Sequence, residues 1–273
     1  MRLQLTLLLL YLVTSLFAGN DDDILGARSF GLAGNSIQFQ DLWSAENNPG
    51  GLAKLNAWGA GFSYRNQFLL NELATKSLVA AYPLNNAAFG LSFKQFGFSN
   101  YQENKLGLSY GQLLGENISM GIQLSYRSVQ LSEGYGSKNA FTGTIGLQAK
   151  ITEELSLAAV VINPNHTKLA EYEDERIPTV FKLGLGYTFS KKVQVLTELV
   201  KDIDFETDVK LGLEYQPIEI LHFRVGYAST PSLSSFGFGL EFRQFTIDVA
   251  SSFDSNLGFS PQVSLYYAPN SRK

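Results

Sequence analysis

Asn117-Ile-Ser-Met-Gly-Ile-Gln-Leu-Ser-Tyr-Arg127 changes character at every step. Ile118, Met120, Ile122, Leu124 and Tyr126 fall on one face of an extended chain. Ser119, Gly121, Gln123, Ser125 and Arg127 fall on the other. A period of two marks a β-strand with one apolar face. The same partition recurs around Phe181–Phe189, Val209–Tyr215, Leu221–Tyr227 and Phe236–Phe242, each time setting Phe, Leu, Val or Tyr against Gly, Lys, Arg or Glu. Weaker versions occupy Trp58–Tyr64, Lys76–Ala81, Ala87–Phe93, Lys105–Tyr110, Phe141–Lys150, Leu155–Ile162, Val193–Val200, Phe245–Phe253 and Val263–Tyr267. These segments predict about fourteen strands of roughly 7–11 residues, close to what a tilted strand needs to cross a bilayer.

A soluble sandwich would turn such faces inward and use about half as many strands. Here Tyr64, Tyr110, Tyr126, Tyr187, Tyr215, Tyr227 and Phe242 stand at strand ends, where a membrane-spanning barrel carries its aromatic girdles. Mean hydropathy is −0.02, as expected when each strand averages an apolar face against a polar one. The expected fold is therefore all-β, a transmembrane antiparallel barrel of about fourteen strands. Connections alternate in length. Pro83–Asn86, Gly111–Glu116, Thr152–Glu154, Ser190–Lys191, Gln216–Glu219 and a tight turn near Gln244 are brief, whereas Asn66–Ala74, Phe96–Asn104, Ser128–Asn139, Asn163–Pro178, Lys201–Thr207, Ala228–Ser235 and Asp254–Pro261 read as longer loops. Short turns on one side and long loops on the other place both termini in the periplasm.

Residues 1–19 read as a secretory signal peptide: Arg2, an apolar run from Leu3 to Phe17, then Ala18 and Gly19. The apolar run is short of the ~20 residues that a spanning helix needs. With no Cys, thiol chemistry, disulfides and a lipid-modified Cys anchor are all excluded. A net charge of −4 argues against nucleic acid as a partner. The two histidines, His166 and His222, are isolated, so no catalytic residue, metal site or cofactor is expected. The acidic runs Glu171–Glu175 and Asp202–Asp208 lack the spacing of a Ca²⁺ loop and read as solvated loops.

On the expected lumen face lie many glycines, among them Gly61, Gly90, Gly121, Gly146, Gly184, Gly212, Gly226 and Gly237. Glycine weakens a strand unless another backbone comes close or the sheet must bend. This one fits a lumen that holds a plug or a conduit. The charges on that face are mixed: Lys94, Lys105, Arg127, Lys182, Lys210, Arg224 and Arg243, with Glu214 and Glu241. Opposite charges on neighbouring strands commonly pair, so these residues read as a ladder that fixes the barrel and holds a plug.

Residues 20–56 stand apart from the strand pattern, which runs through 57–273. They contain Gly26-Ala27-Arg28, the pair Gly31 and Gly34, Ser44-Ala45, and Asn48-Pro49-Gly50-Gly51-Leu52-Ala53. On these residues the chain resembles the FadL-like outer-membrane superfamily, and within it the PorV/PorQ group. The acidic residues usual after the glycine pair are reduced to Asp41, beside Gln38 and Gln40. The resemblance implies that residues 20–56 tuck into the barrel as a hatch, turned at Gly31, Gly34, Asn48, Pro49 and Gly50. It implies an accessory role in type IX secretion or cell-surface export in the bacterial outer membrane, or alternatively transport of a hydrophobic small molecule. The partners it implies are outer-membrane lipid, lipopolysaccharide, and secretion-system proteins or a hydrophobic ligand. A lumen face of glycine, Ser/Thr and charge offers no continuous apolar pocket, which favours the partner-binding role.

Overall fold

Each alternating segment becomes a strand of one closed antiparallel barrel of fourteen strands in the computed structural model. The structure describes residues 24–131, 136–168 and 177–269; residues 1–19, expected to be a signal peptide, residues 20–23 and the acidic run Glu171–Glu175 lie outside the described residues. The strands are β1 Gly59–Asn66, β2 Ala74–Pro83, β3 Ala87–Phe98, β4 Tyr101–Leu113, β5 Ile118–Leu131, β6 Gly136–Lys150 and β7 Leu155–Ile162. They continue as β8 Val180–Ser190, β9 Val193–Asp202, β10 Asp208–Ile218, β11 Leu221–Ser229, β12 Ser232–Phe242, β13 Phe245–Asp254 and β14 Gly258–Tyr267. Each strand pairs with its sequence neighbours, and β1 closes the circle by pairing Phe62 with Leu78 on β2 and with Leu265 on β14. An even strand count brings β1 and β14 to the same end, the terminus end. Closure leaves no unpaired edge, which a hydrocarbon environment requires because it offers no partner for a free N–H or C=O.

The outward faces are apolar. Leu78, Leu108, Leu124, Phe141, Leu183, Leu211, Val225 and Phe236 are all exposed on the outer wall. So large a continuous apolar surface is stable only against lipid. Aromatic pairs rim both ends of this band. At the terminus end, Trp58 packs on Tyr267 at 5.6 Å, Phe89 on Tyr110 at 5.1 Å and Tyr187 on Phe189 at 4.7 Å between ring centroids. At the far end, Tyr126 packs on Phe141 at 5.3 Å and Phe253 on Phe259 at 4.9 Å. No described helix is long and apolar enough to cross a membrane.

The far end differs from its reading as a set of long loops. Phe96–Asn104 and Ala228–Ser235 continue as strand to two-residue turns at Ser99–Asn100 and Thr230–Pro231. Likewise β5 runs on to Leu131 and β6 begins at Gly136, inside the stretch expected to be irregular. The reason is the change of solvent. Beyond Tyr126 and Phe141 both faces of these strands meet water, so the apolar alternation stops while the backbone ladder continues. Arg243 does not follow the lumen-facing parity of β12. It occupies the β12–β13 turn at φ 57°, exposed, with its guanidinium 5.3 Å from the Phe242 ring, and does not face the lumen. Phe242 and Phe245 pair directly, which leaves only Arg243 and Gln244 to reverse the chain.

Leu213 lies at the middle of β10 on the lipid face, opposite Val225. Leu213→Arg is expected to cost about 2–4 kcal/mol, read as a lowered urea midpoint for refolding into lipid vesicles at unchanged m-value.

Candidate functional site: the hatch and the lumen wall

Residues Ile24–Lys54 occupy the lumen from the terminus end and reach Ser235 and Arg65 toward the far end, as two single helical turns, Ala27–Phe30 and Ser44–Asn47, and a 3-10 helix, Pro49–Lys54. Turns this short have little stability of their own, so the barrel wall must hold them. It does so first by shape. A Cβ added at Gly121 would overlap Pro49 and Gly50, at Gly146 the side chain of Asn48, at Gly226 the backbone of Leu32 and Ala33, and at Gly184 the side chain of Gln38. At Gly31 an added Cβ would lie 3.0 Å from the Cα of Gly237. These lumen glycines are thus places where hatch and wall touch, whereas Gly107, Gly186 and Gly239 make room for side chains of the wall itself. Gly34 differs, because its φ of +86° is what the turn there requires.

The polar lumen residues satisfy the hatch backbone, whose groups would otherwise be buried without partners. Gln148 Nε2 donates to the carbonyls of Ile37 and Phe39, both at 2.8 Å. Gln123 Nε2 and Ser109 Oγ donate to the Ala45 carbonyl at 2.7 and 2.6 Å. The Ala33 N–H donates to Ser235 Oγ at 2.6 Å, and the Ala27 N–H to Ser264 Oγ at 3.1 Å. Within the hatch, Asn48 Oδ1 accepts from the Gly50 N–H at 3.0 Å while its Nδ2 donates to the Ile37 carbonyl at 2.7 Å. Asn47 grips Leu25 through both its N–H and its carbonyl at 2.9 Å. The Asn48-Pro49-Gly50-Gly51 run therefore forms a cap and the start of a 3-10 helix wedged against β5 and β6.

Charge anchors the hatch at three points. Glu46 pairs with Lys105 and accepts from Ser92 Oγ at 2.6 Å and Gln123 Nε2 at 2.9 Å. Glu198 on β9 accepts from the N–H groups of Ser36 at 2.9 Å and Ile37 at 3.3 Å, with Lys182 at 4.0 Å. Arg28 makes a two-pronged contact with Glu214, Nε to Oε2 at 3.0 Å and Nη2 to Oε1 at 2.8 Å, and its guanidinium lies 3.9 Å from the Phe39 ring centroid. Glu214 also accepts from Arg224, whose Nη1 donates to Asp248 at 2.6 Å. Burial opposes the charge on Arg28, but Glu214 and Asp41 more than offset it and raise the guanidinium's proton affinity. Burial pushes the Asp41 carboxyl up, against the pull of Arg28 at 3.6 Å. Removing one member of a buried pair strands the other, at a cost of about 3–5 kcal/mol.

The other charges read from the sequence take the following places. Lys94, Lys105 and Arg127 stand abreast on β3, β4 and β5, the two lysines buried and Arg127 half-buried. Lys210 is buried 3.9 Å from Asp208. Glu241 lies at the terminus-end mouth, 3.1 Å from His222, which in turn lies 3.6 Å from Glu214. Among the described residues no cluster of His, Asp and Glu is suited to a metal ion.

The lumen is not polar throughout, contrary to the sequence reading. Ala158 and Val160 on β7, Val180 on β8, and Leu196 and Val200 on β9 all point inward and are buried, with Ile162 packed beside them. Ile37, Leu32 and Phe39 of the hatch pack on this strip. The signal was present in Leu155-Ser-Leu-Ala-Ala-Val-Val-Ile162, which is apolar on both faces and so breaks the alternation of its neighbours. A second apolar contact joins Leu25, Leu42, Trp43, Ala45 and Leu52 of the hatch to Val79, Ala81 and Ala88 on β2 and β3.

No protein-family model matches the chain, and no curated protein matches it in sequence. The fold is similar to several solved outer-membrane barrels. The toluene transporter TodX of Pseudomonas putida is 13% identical, with 92% of this chain and 99% of that chain covered and a TM-score of 0.68. A FadL homologue of Pseudomonas aeruginosa is also 13% identical, with coverages of 91% and 98% and a TM-score of 0.64. Omp33 of Acinetobacter baumannii is 6% identical, with coverages of 78% and 98% and a TM-score of 0.55. The chain has the fold of FadL-type outer-membrane barrels.

Gly121→Leu tests the seating of the hatch. The barrel is expected to form, seen as heat-modifiable gel migration, while the Pro49–Lys54 turn is pushed off β5 and residues 24–56 become open to limited proteolysis.

Proposed function

We propose that this protein is an outer-membrane conduit for small apolar molecules, closed at the periplasmic end by its hatch. The reading rests most on the apolar strip of β7–β9. Its members Val160, Ile162, Val180 and Val200 lie in the far half of the lumen around Lys182, while Ala158, Val160 and Leu196 carry the apolar contact down to Ile37, Leu32 and Phe39 of the hatch. In a wall otherwise lined by Ser, Thr, Gln and Lys, such a strip is where an apolar ligand loses least on leaving lipid or water. Fold likeness to a toluene transporter and a FadL homologue supports the same class of cargo. Both termini then face the periplasm, the far-end strands stand among lipopolysaccharide, and the protein acts without chemistry of its own.

A second reading, an accessory barrel of the PorV/PorQ type in type IX secretion, draws on the tall wall of β3–β6. These strands are 12 to 15 residues long. Above the far girdle they present Gln102, Asn104, Gln130 and Asn139 outward, a polar platform on which a secretion component could dock. Recovery of secretion proteins with the barrel from native membranes would favour it over the conduit.

Uptake of radiolabelled toluene by cells expressing the barrel tests the first reading. Expression is expected to raise the rate above vector-only cells, and Val160→Asn/Ile162→Asn to return it to about that level. Lys94→Met, away from the strip, is expected to leave it unchanged. Equal uptake with and without the barrel would contradict the proposal.

A further inference from the structure

Two surface features on β1–β3 lie next to each other and are unlike in chemistry. On the outer wall Ala60 and Ala80 face each other across the β1–β2 ladder, with Tyr267 beyond Ala60 and Leu91 beyond Ala80. Two residues toward the far end, Phe62, Leu78 and Phe93 form the next row. The alanine step is thus a recess walled by larger apolar side chains. It forms a depression of about 470 Å³ with no charged lining residue. Strand geometry places it just inside the terminus-end girdle, since Ala80 is two residues, roughly 7 Å, from Tyr82. Tyr82 also borders the second feature, an open cleft of about 840 Å³ at the rim, lined by Asn56, Asn85, Asn86 and Gln112. No lining residue there is charged either.

We infer that this face of the barrel binds one phospholipid without net charge, its acyl chain in the Ala60–Ala80 recess and its head group in the amide-lined cleft. An apolar slot at chain depth and a hydrogen-bonding cleft at head-group depth, separated by one girdle residue, match the two parts of a lipid in order and distance. Amide side chains donate to phosphate and glycerol oxygens and accept from an ammonium group. Without Lys or Arg in the cleft, an anionic head group finds no counter-charge there. The inference depends on the barrel spanning a membrane and is independent of what passes through its lumen.

The test uses the full-length barrel reconstituted with equal amounts of a zwitterionic and an anionic phospholipid, stripped in mild detergent and examined by native mass spectrometry. Wild type is expected to retain one zwitterionic lipid. Ala60→Phe/Ala80→Phe, which fills the recess, is expected to lower the bound fraction about tenfold or more, equivalent to at least about 1.4 kcal/mol. Asn85→Ala/Gln112→Ala is expected to keep a lipid but lose the head-group preference. Heat-modifiable migration confirms that each variant is folded. A wild type that retains no lipid, equal retention by the alanine-to-phenylalanine variant, or preference for the anionic lipid would each overturn the inference.

Discussion

Pro49 and Gly50 lie so close to Gly121 and Gly146 that no side chain heavier than hydrogen fits between hatch and wall. The same close approach recurs where Leu32 and Ala33 meet Gly226, and where Gly31 meets Gly237. Much of the rest of the lumen depends on this contact. A strand that gives up side chains weakens its own ladder, and packing against the hatch replaces what was lost. Because the two backbones come so near, short Ser and Gln side chains on the wall can reach hatch carbonyls and N–H groups directly. Without the glycines, Gln148 could not stand over the Ile37 and Phe39 carbonyls, nor Ser235 beneath the Ala33 N–H.

The charges then act as fasteners. Glu46, Glu198 and Arg28 tie the hatch to β3–β5, β9 and β10, so it is held around much of the circumference. Pairs this well buried contribute little net stability against an apolar alternative, but they penalise any other seating of the hatch. The apolar residues of β7–β9 that flank Lys182 and Glu198 are the part of the lumen that this polar fastening does not explain. It is where the wall departs from the rest, and it carries the proposed function.

Strand number, antiparallel order and the inside–outside parity of each strand were legible in the sequence because lipid and lumen impose opposite demands on alternate residues. Asn117–Arg127 shows this at every position. The hatch was legible too, through Gly26-Ala27-Arg28 and Asn48-Pro49-Gly50-Gly51. Three things were not. The tall β3–β6 wall was hidden because water on both faces removes the apolar alternation. The tight turn near Gln244 was legible, but in sequence Arg243 keeps the parity of its strand, and its place inside that turn shows only in the Phe242–Phe245 pairing. The partners of Arg28 on Glu214, and of Glu198 on Ser36 and Ile37, join residues more than 160 positions apart, and no local pattern encodes such a pairing.

Amide hydrogen exchange tests most directly whether the hatch is an integral part of the fold. Its N–H groups at Leu25, Ala33, Ser36, Ile37 and Gly50 are bonded to buried side chains of hatch or wall. They are expected to exchange as slowly as the mid-strand amides of β5 and β6, because opening them requires lifting the hatch from the wall. Exchange of these amides at the rate of surface turns, with the β5 and β6 strands still protected, would contradict the account.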